Sequence, residues 1–197
     1  MTDRVKTSRA ATSRAVGIVS GVALLAAAYA VTATIPSSPA VEAPFASRGA
    51  IGDEIVSQHL IGTVNAAFFA DEVELEEWRG TTNGIWLVAE TTLSATTEPE
   101  IIQVDLFVGG VRYPSSSRGD GVLDESSVDA GFASTGPILV ELPADVLERS
   151  GAREAVLRIS TGLGDARLDS VIEVVIDLTQ LDVDERVELA PTSTGAR

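Results

Sequence analysis

The sequence predicts an all-β exported domain, an antiparallel two-sheet sandwich, behind one N-terminal transmembrane helix. Three observations predict it. Residues 15–35 carry no charge and are mostly Ala, Val, Leu and Ile, directly after a basic segment. Beyond residue 58, short stretches alternate apolar and polar side chains with a period of two, between Gly, Pro, Asp and Ser turn signals. The 197 residues include no cysteine, so the exported part must be held by a hydrophobic core alone.

The elements follow in chain order. Residues 1–14 hold Arg4, Lys6, Arg9 and Arg14 against Asp3, a net +3. Lys and Arg ahead of an apolar run keep that end in the cytoplasm, and about 20 apolar residues span a bilayer as a helix. Residues 15–35 therefore read as a single membrane span with everything after them outside. The same pattern also suits a signal peptide cleaved at Ala28-Tyr29-Ala30 or Ser38-Pro39-Ala40, which would release a secreted protein. A lipid anchor on an N-terminal cysteine is excluded. Residues 36–57 are rich in Pro, Ser, Ala and Gly and read as a flexible linker. Residues 58–190 form the sandwich, and 191–197 a polar frayed tail.

Within the sandwich, Ile172, Val174, Ile176 and Leu178 share one face, with Glu173 and Asp177 opposite. Ile102, Val104, Leu106 and Val108 repeat the pattern against Gln103 and Asp105. Gly109-Gly110 then turns the chain into Val111-Arg112-Tyr113 as a hairpin. Residues 85–93 place Trp86 and Val88 on one face and Ile85, Leu87 and Leu93 on the other, which makes Trp86 the candidate central core aromatic. Ile138, Val140 and Leu142 mark another strand, and Ala155, Leu157 and Ile159 a further one. Residues 62–78 hold one or two more, with helix and strand undecided over Val73 to Arg79. Pro143 to Ser150 reads as a short helix, Pro143 opening it and Gly151 capping it. Six to eight short strands over this length fit an immunoglobulin-like domain without the usual disulfide.

Charge narrows the partners. The chain is −15 overall, so the part after residue 14 carries −18. Nucleic acid and anionic lipid surfaces are disfavoured by such a field. Lys6 is the only lysine, Asn65 and Asn83 are the only asparagines, and neither opens a glycosylation sequon. The bias resembles that of a GC-rich genome.

Gly84-Ile85-Trp86-Leu87-Val88, Glu98-Pro99, Arg112-Tyr113, Arg118, Leu142-Pro143 and Arg167-Leu168-Asp169-Ser170-Val171 follow one another in this order. The order resembles a family of uncharacterised, membrane-anchored extracellular domains of high-GC Gram-positive bacteria, of the telokin-like, immunoglobulin-like group. The resemblance covers residues 60–180, with Asp129-Ala130-Gly131 nearest to the family's turn before the return strand. It implies the fold and an extracellular position, and brings no catalytic residues.

No residue set announces a chemistry. His59 is the only histidine, and no Gly-x-Ser-x-Gly elbow accompanies it, so it reads as an ordinary strand or linker residue. One His without Cys does not supply a zinc site. Arg118-Gly119-Asp120 matches the integrin tripeptide and reads as a turn. The loop from Gly119 to Gly131 brings Asp120, Asp124, Glu125 and Asp129 together, which makes it the candidate calcium loop although its spacing is not that of an EF-hand. Asp182, Asp184 and Glu185 are a weaker candidate. Glu72, Glu74, Glu76 and Glu77 read as a charged edge that discourages strand pairing. Phe68, Phe69, Trp86, Phe107 and Tyr113 could line a ligand groove, but at alternating strand positions they read as core. Gly17 and Gly21 are spaced for helix packing in a membrane.

The expectation is a non-enzymatic, membrane-anchored extracellular domain that contacts a membrane protein or a cell-wall component and uses no cofactor. A small-ligand or calcium binder is the alternative, and a secreted hydrolase the third reading.

Overall fold

Strand β5 (Glu100–Val108) shows how the alternation is used. Ile102, Val104, Leu106 and Val108 point inward and are buried. Their neighbours face out. The same rule orients β9 (Glu154–Thr161) through Ala155, Leu157 and Ile159, and β10 (Ser170–Asp177) through Ile172, Val174 and Ile176. The computed structural model describes residues 19–30, 32, 42–124, 126–149, 151–162 and 166–197. It divides into two compact units, residues 1–42 and 43–197.

In the first unit, residues 19–30 and 32 are helical and almost wholly exposed. Among the described residues no helix is long and apolar enough to cross a membrane. The basic segment 1–14, residues 15–18, 31 and 33–35 of the expected span, Gly17 of the glycine pair and linker residues 36–41 lie outside the described residues.

The second unit is a sandwich of two six-stranded sheets. The first sheet has the order β1-β10-β9-β5-β6, where β1 is Phe45–Ala50 and β6 is Val111–Pro114, and β7 (Ser127–Val128) adds to β5. The second has the order β11-β3-β4-β8-β12, with β2 on β3. Here β2 is Ile55–Val56, β3 Leu60–Leu75, β4 Trp78–Ala95, β8 Phe132–Leu142, β11 Val183–Leu189 and β12 Ser193–Ala196. The main core lies between the sheets and includes Phe69, Leu87, Leu93, Leu106, Ile138 and Leu157.

Several expectations are corrected. The sandwich is mixed: β1 runs parallel to β10 and β11 parallel to β3. Residues expected in the flexible linker form β1 and β2, and residues of the frayed tail form β12 against β8. The tail is held further by Thr192, whose N–H and Oγ1–H both donate to the Gly121 carbonyl at 2.8 and 2.7 Å. The helix expected at 143–150 is one 3-10 turn, Val146–Glu148, because Arg149 is already extended. The undecided Val73–Arg79 stretch is the tip of the long β3–β4 hairpin, which pairs Leu75 with Trp78.

Trp86 is fully buried, but not between the sheets. It packs on the opposite face of the second sheet with Ala70, Val73, Leu75, Val88, Val122, Leu139 and Leu189. The segment after β6 covers this second cluster: the Ser116 N–H donates to the Leu139 carbonyl at 2.7 Å and the Leu123 N–H to that of Pro137 at 2.9 Å. The centre of β4 is thus buried on both faces.

Candidate functional site

The outer face of the first sheet combines fixed charges with exposed and half-buried apolar side chains. The strand register dictates the arrangement. One row across the sheet reads Arg48, Glu173, Arg158, Asp105. The next reads Ala50, Val175, Val156, Phe107, Arg112. A ladder of alternating charge therefore lies beside an apolar stripe.

Glu173 anchors the ladder. It is only 5% exposed, and its two oxygens are divided between two arginines. Arg158 donates to Oε1 from Nη2 at 2.7 Å and from Nε at 3.0 Å, and Arg48 donates to Oε2 from Nε at 2.9 Å. A buried carboxylate needs such partners, and charge-assisted bonds are the strong ones. The Arg158 guanidinium carbon also lies 4.5 Å from the Phe107 ring centroid, a cation–π contact. Arg112 Nε stands 2.8 Å from Asp105 Oδ1. The Arg48 side chain, by contrast, is 70% exposed.

An open trough of about 480 Å³ sits on this face, bounded by Arg48, Arg158, Phe107, Val156 and Glu154. Gly109, Gly110 and Gly151 form its far wall and leave it free of side chains there. All three have positive φ, at 56°, 81° and 85°, a region glycine enters without strain.

The residues singled out by sequence are distributed elsewhere. Asp120 and Asp129 are exposed, whereas Asp124 is buried and its Oδ1 accepts from the Val104 N–H at 3.2 Å. Asp124 thus ties the loop to β5. Glu125 lies outside the described residues. Among the described residues no group of three or more His, Cys, Asp or Glu is placed to hold a metal ion.

Arg118 of the Arg-Gly-Asp turn is engaged by its own chain. Its guanidinium carbon lies 6.0 Å from the Trp78 ring centroid and 5.6 Å from that of Trp86, and Nη1 is 3.4 Å from Glu141 Oε2. Gly119 packs against the Trp78 ring. His59 has Nδ1 at 3.5 Å from Glu100 Oε1 and Nε2 at 3.7 Å from Asp169 Oδ1. Both ring nitrogens face carboxylates, which is not the hydroxyl–imidazole–carboxylate order of a hydrolase triad.

The first half of the acidic run is paired with arginine, while Glu76 and Glu77 are exposed at the hairpin tip. Glu72 meets Arg79 at 3.2 Å and Arg186 at 2.8 Å, and Glu74 pairs with Arg79. Asp182, Asp184 and Glu185 are exposed at the β11 edge. The carboxyls of Asp145 and Asp177 are held below the ordinary range. Asp145 is lowered by the hydrogen bonds of Arg149, at 2.9 and 3.2 Å, and Asp177 by the hydroxyl and N–H of Thr179, at 2.6 and 2.9 Å.

Sequence reasoning missed Arg48, Arg158 and Glu173 as a group. Glu173 and Arg158 are visible as outward positions of two strands, but nothing in the sequence pairs them. Arg48 fell in the expected linker.

No family profile matches the chain, and no curated protein matches it. Among solved structures, it resembles YcdA of Bacillus subtilis, provisionally described as a lipoprotein, at 12% identity and a TM-score of 0.47. That match covers 67% of this chain and 40% of YcdA, so the chain corresponds to well under half of that protein. It also resembles an uncharacterised β-sandwich protein of Clostridium difficile at 14% identity and a TM-score of 0.47, covering 73% of this chain and 100% of that one.

Proposed function

We propose that the chain is a non-enzymatic interaction module, anchored by its N-terminal segment, whose extracellular sandwich contacts another protein of the membrane or cell envelope. The observation that carries this reading is the outer face of the first sheet. Arginine and aromatic side chains beside an apolar stripe are the composition of protein contact surfaces. Their guanidinium groups are already tethered to Glu173 and Asp105 through at least one nitrogen each, so less side-chain freedom is lost on contact. The anchoring part of the reading is supported by the uncharged run 15–35 behind four Lys/Arg, and the telokin-like, immunoglobulin-like kinship by the order of residues quoted above. The strong negative charge argues against nucleic acid as the partner.

Photo-crosslinking tests it. A photoreactive amino acid replaces Val156 in the stripe, or Glu185 on the opposite sheet, in the full-length chain in its native membrane. The reading expects one discrete adduct from position 156 and none of that size from position 185. Identical adduct patterns at both positions, or none at 156, would overturn it. Retention of the chain in the membrane pellet after alkaline extraction checks the anchor.

A further inference from the structure

We propose that the trough on the first sheet binds a short apolar peptide by its free carboxylate and its ammonium group. The inference takes the face named above and supplies the chemistry of its ligand.

Two guanidinium groups are held on one buried carboxylate. Arg48 uses only Nε on Glu173, and Arg158 uses Nε and Nη2. Arg48 keeps both Nη groups and Arg158 keeps Nη1 for a second acceptor. Because Glu173 fixes them in advance, an incoming carboxylate meets oriented donors, which is the condition for strong recognition by arginine. The charges also select the ligand. At this end two arginines and one glutamate leave a net +1, suited to a single carboxylate, and with Glu154 the lining as a whole is neutral, as a zwitterion requires. A multiply charged phosphate would exceed that single net charge and leave uncompensated negative charge beside Glu173 and Glu154.

The other end of the trough carries the opposite charge. Glu154 is exposed and makes no hydrogen bond or ion pair among the described residues. Glu154, Val156 and Arg158 are alternate residues of β9 and share its outer face. Four residues of strand separate Glu154 from Arg158 by about 13 Å. An extended tripeptide spans about 10–11 Å, and the two long side chains close the remainder. The ligand's ammonium then lies at Glu154 and its carboxylate at Arg48 and Arg158. Between them Val156 and Phe107 offer apolar contact to its side chains, and the glycine wall leaves room for them.

The experiment is calorimetric titration of the full-length chain in detergent with four probes: Ala-Val-Ala, its C-terminal amide, its N-acetyl form, and inorganic phosphate. Saturable binding of Ala-Val-Ala is expected, at least about tenfold weaker for the amide and several-fold weaker for the N-acetyl form. Arg48→Gln and Glu154→Gln, both at exposed positions, should weaken it by similar factors, with the thermal midpoint unchanged for Glu154→Gln and lowered by only about 1–4 °C for Arg48→Gln, which also loses its bond to Glu173. Three results would each overturn the proposal: no saturation below about 10 mM, equal binding of peptide and amide, or phosphate competing as tightly as the peptide. Crosslinking at position 156 reports the protein contact separately, so a failed titration with a discrete adduct removes the peptide and leaves the interaction reading in place.

Discussion

Arg158→Met should be among the most damaging exposed-face substitutions in the sandwich. It removes two of the three bonds on Glu173 and leaves a carboxylate that is 5% exposed with only Arg48 as partner. Removing one member of a buried pair costs about 3–5 kcal/mol. Arg48 keeps its bond and Glu173 lies near an open trough, so about 2–3 kcal/mol is expected here. For a domain of this size that is a fall of about 4–12 °C in the thermal midpoint. Arg48→Met removes one bond from a side chain that is 70% exposed and should cost about 0.5–1 kcal/mol. Adding Glu173→Met to Arg158→Met should recover most of the loss, because the unpaired buried charge is gone and two apolar side chains replace it. The double-mutant cycle, read by urea denaturation at neutral pH, should therefore show a coupling of about 2 kcal/mol. If Arg158→Met costs no more than Arg48→Met, or if the double variant is as unstable as the single one, Glu173 is not a buried anchor of the ladder.

Three further outcomes follow from the geometry. Gly84→Ala should destabilise by at least about 3 kcal/mol or prevent folding, since a Cβ there would stand 1.8 Å from the Leu142 carbonyl oxygen, and soluble yield with circular dichroism would show it. Glu76→Gly should raise the thermal midpoint by about 1–3 °C, because Glu76 holds φ at 54° in the hairpin turn and glycine relieves a left-handed strain of about 1–2 kcal/mol at a smaller entropic cost. Asp177 has a folded-state pKa below its unfolded one, so its contribution is complete above the ordinary carboxylate range and lost as pH falls through the depressed value. Thr179→Val should lower the thermal midpoint at neutral pH and flatten its decline as pH falls below the ordinary carboxylate range, and parallel curves would contradict this.

The strands legible in the sequence are those with one buried face. In β5, β9 and β10 the inward row is apolar and the outward row is polar enough for the period to show. In β4 the pattern misleads, because both rows at its centre are apolar. Trp86 belongs to the cluster under residues 116–122, and only the course of that loop reveals a second covered face. In β3 two register shifts, between Val64 and Ala66 and between Ala70 and Glu72, reset the alternation, so one 16-residue strand reads as fragments or as a helix. Strands β1 and β12 consist largely of small residues whose pairing is decided by distant partners, and composition alone made them linker and tail. The same applies to the charged ladder. Arg48 and Glu173 are 125 positions apart, and no local pattern joins them. The acidic loop was legible as composition, but the inward turn of Asp124 is a tertiary fact.

The parallel pairing of β1 with β10 also bears on how the molecule reaches its folded form. β1 opens the sandwich and its partner enters almost at the end, so the edge of the first sheet cannot close until nearly the whole domain has emerged. The second sheet can start earlier, since β3 and β4 are joined by a tight hairpin. Contacts so far apart in sequence raise the contact order and place folding in the slow, millisecond-to-second class of all-β domains. During that interval β1 and the inner face of the first sheet stay open, and a chain crossing a membrane would need them shielded from other emerging strands.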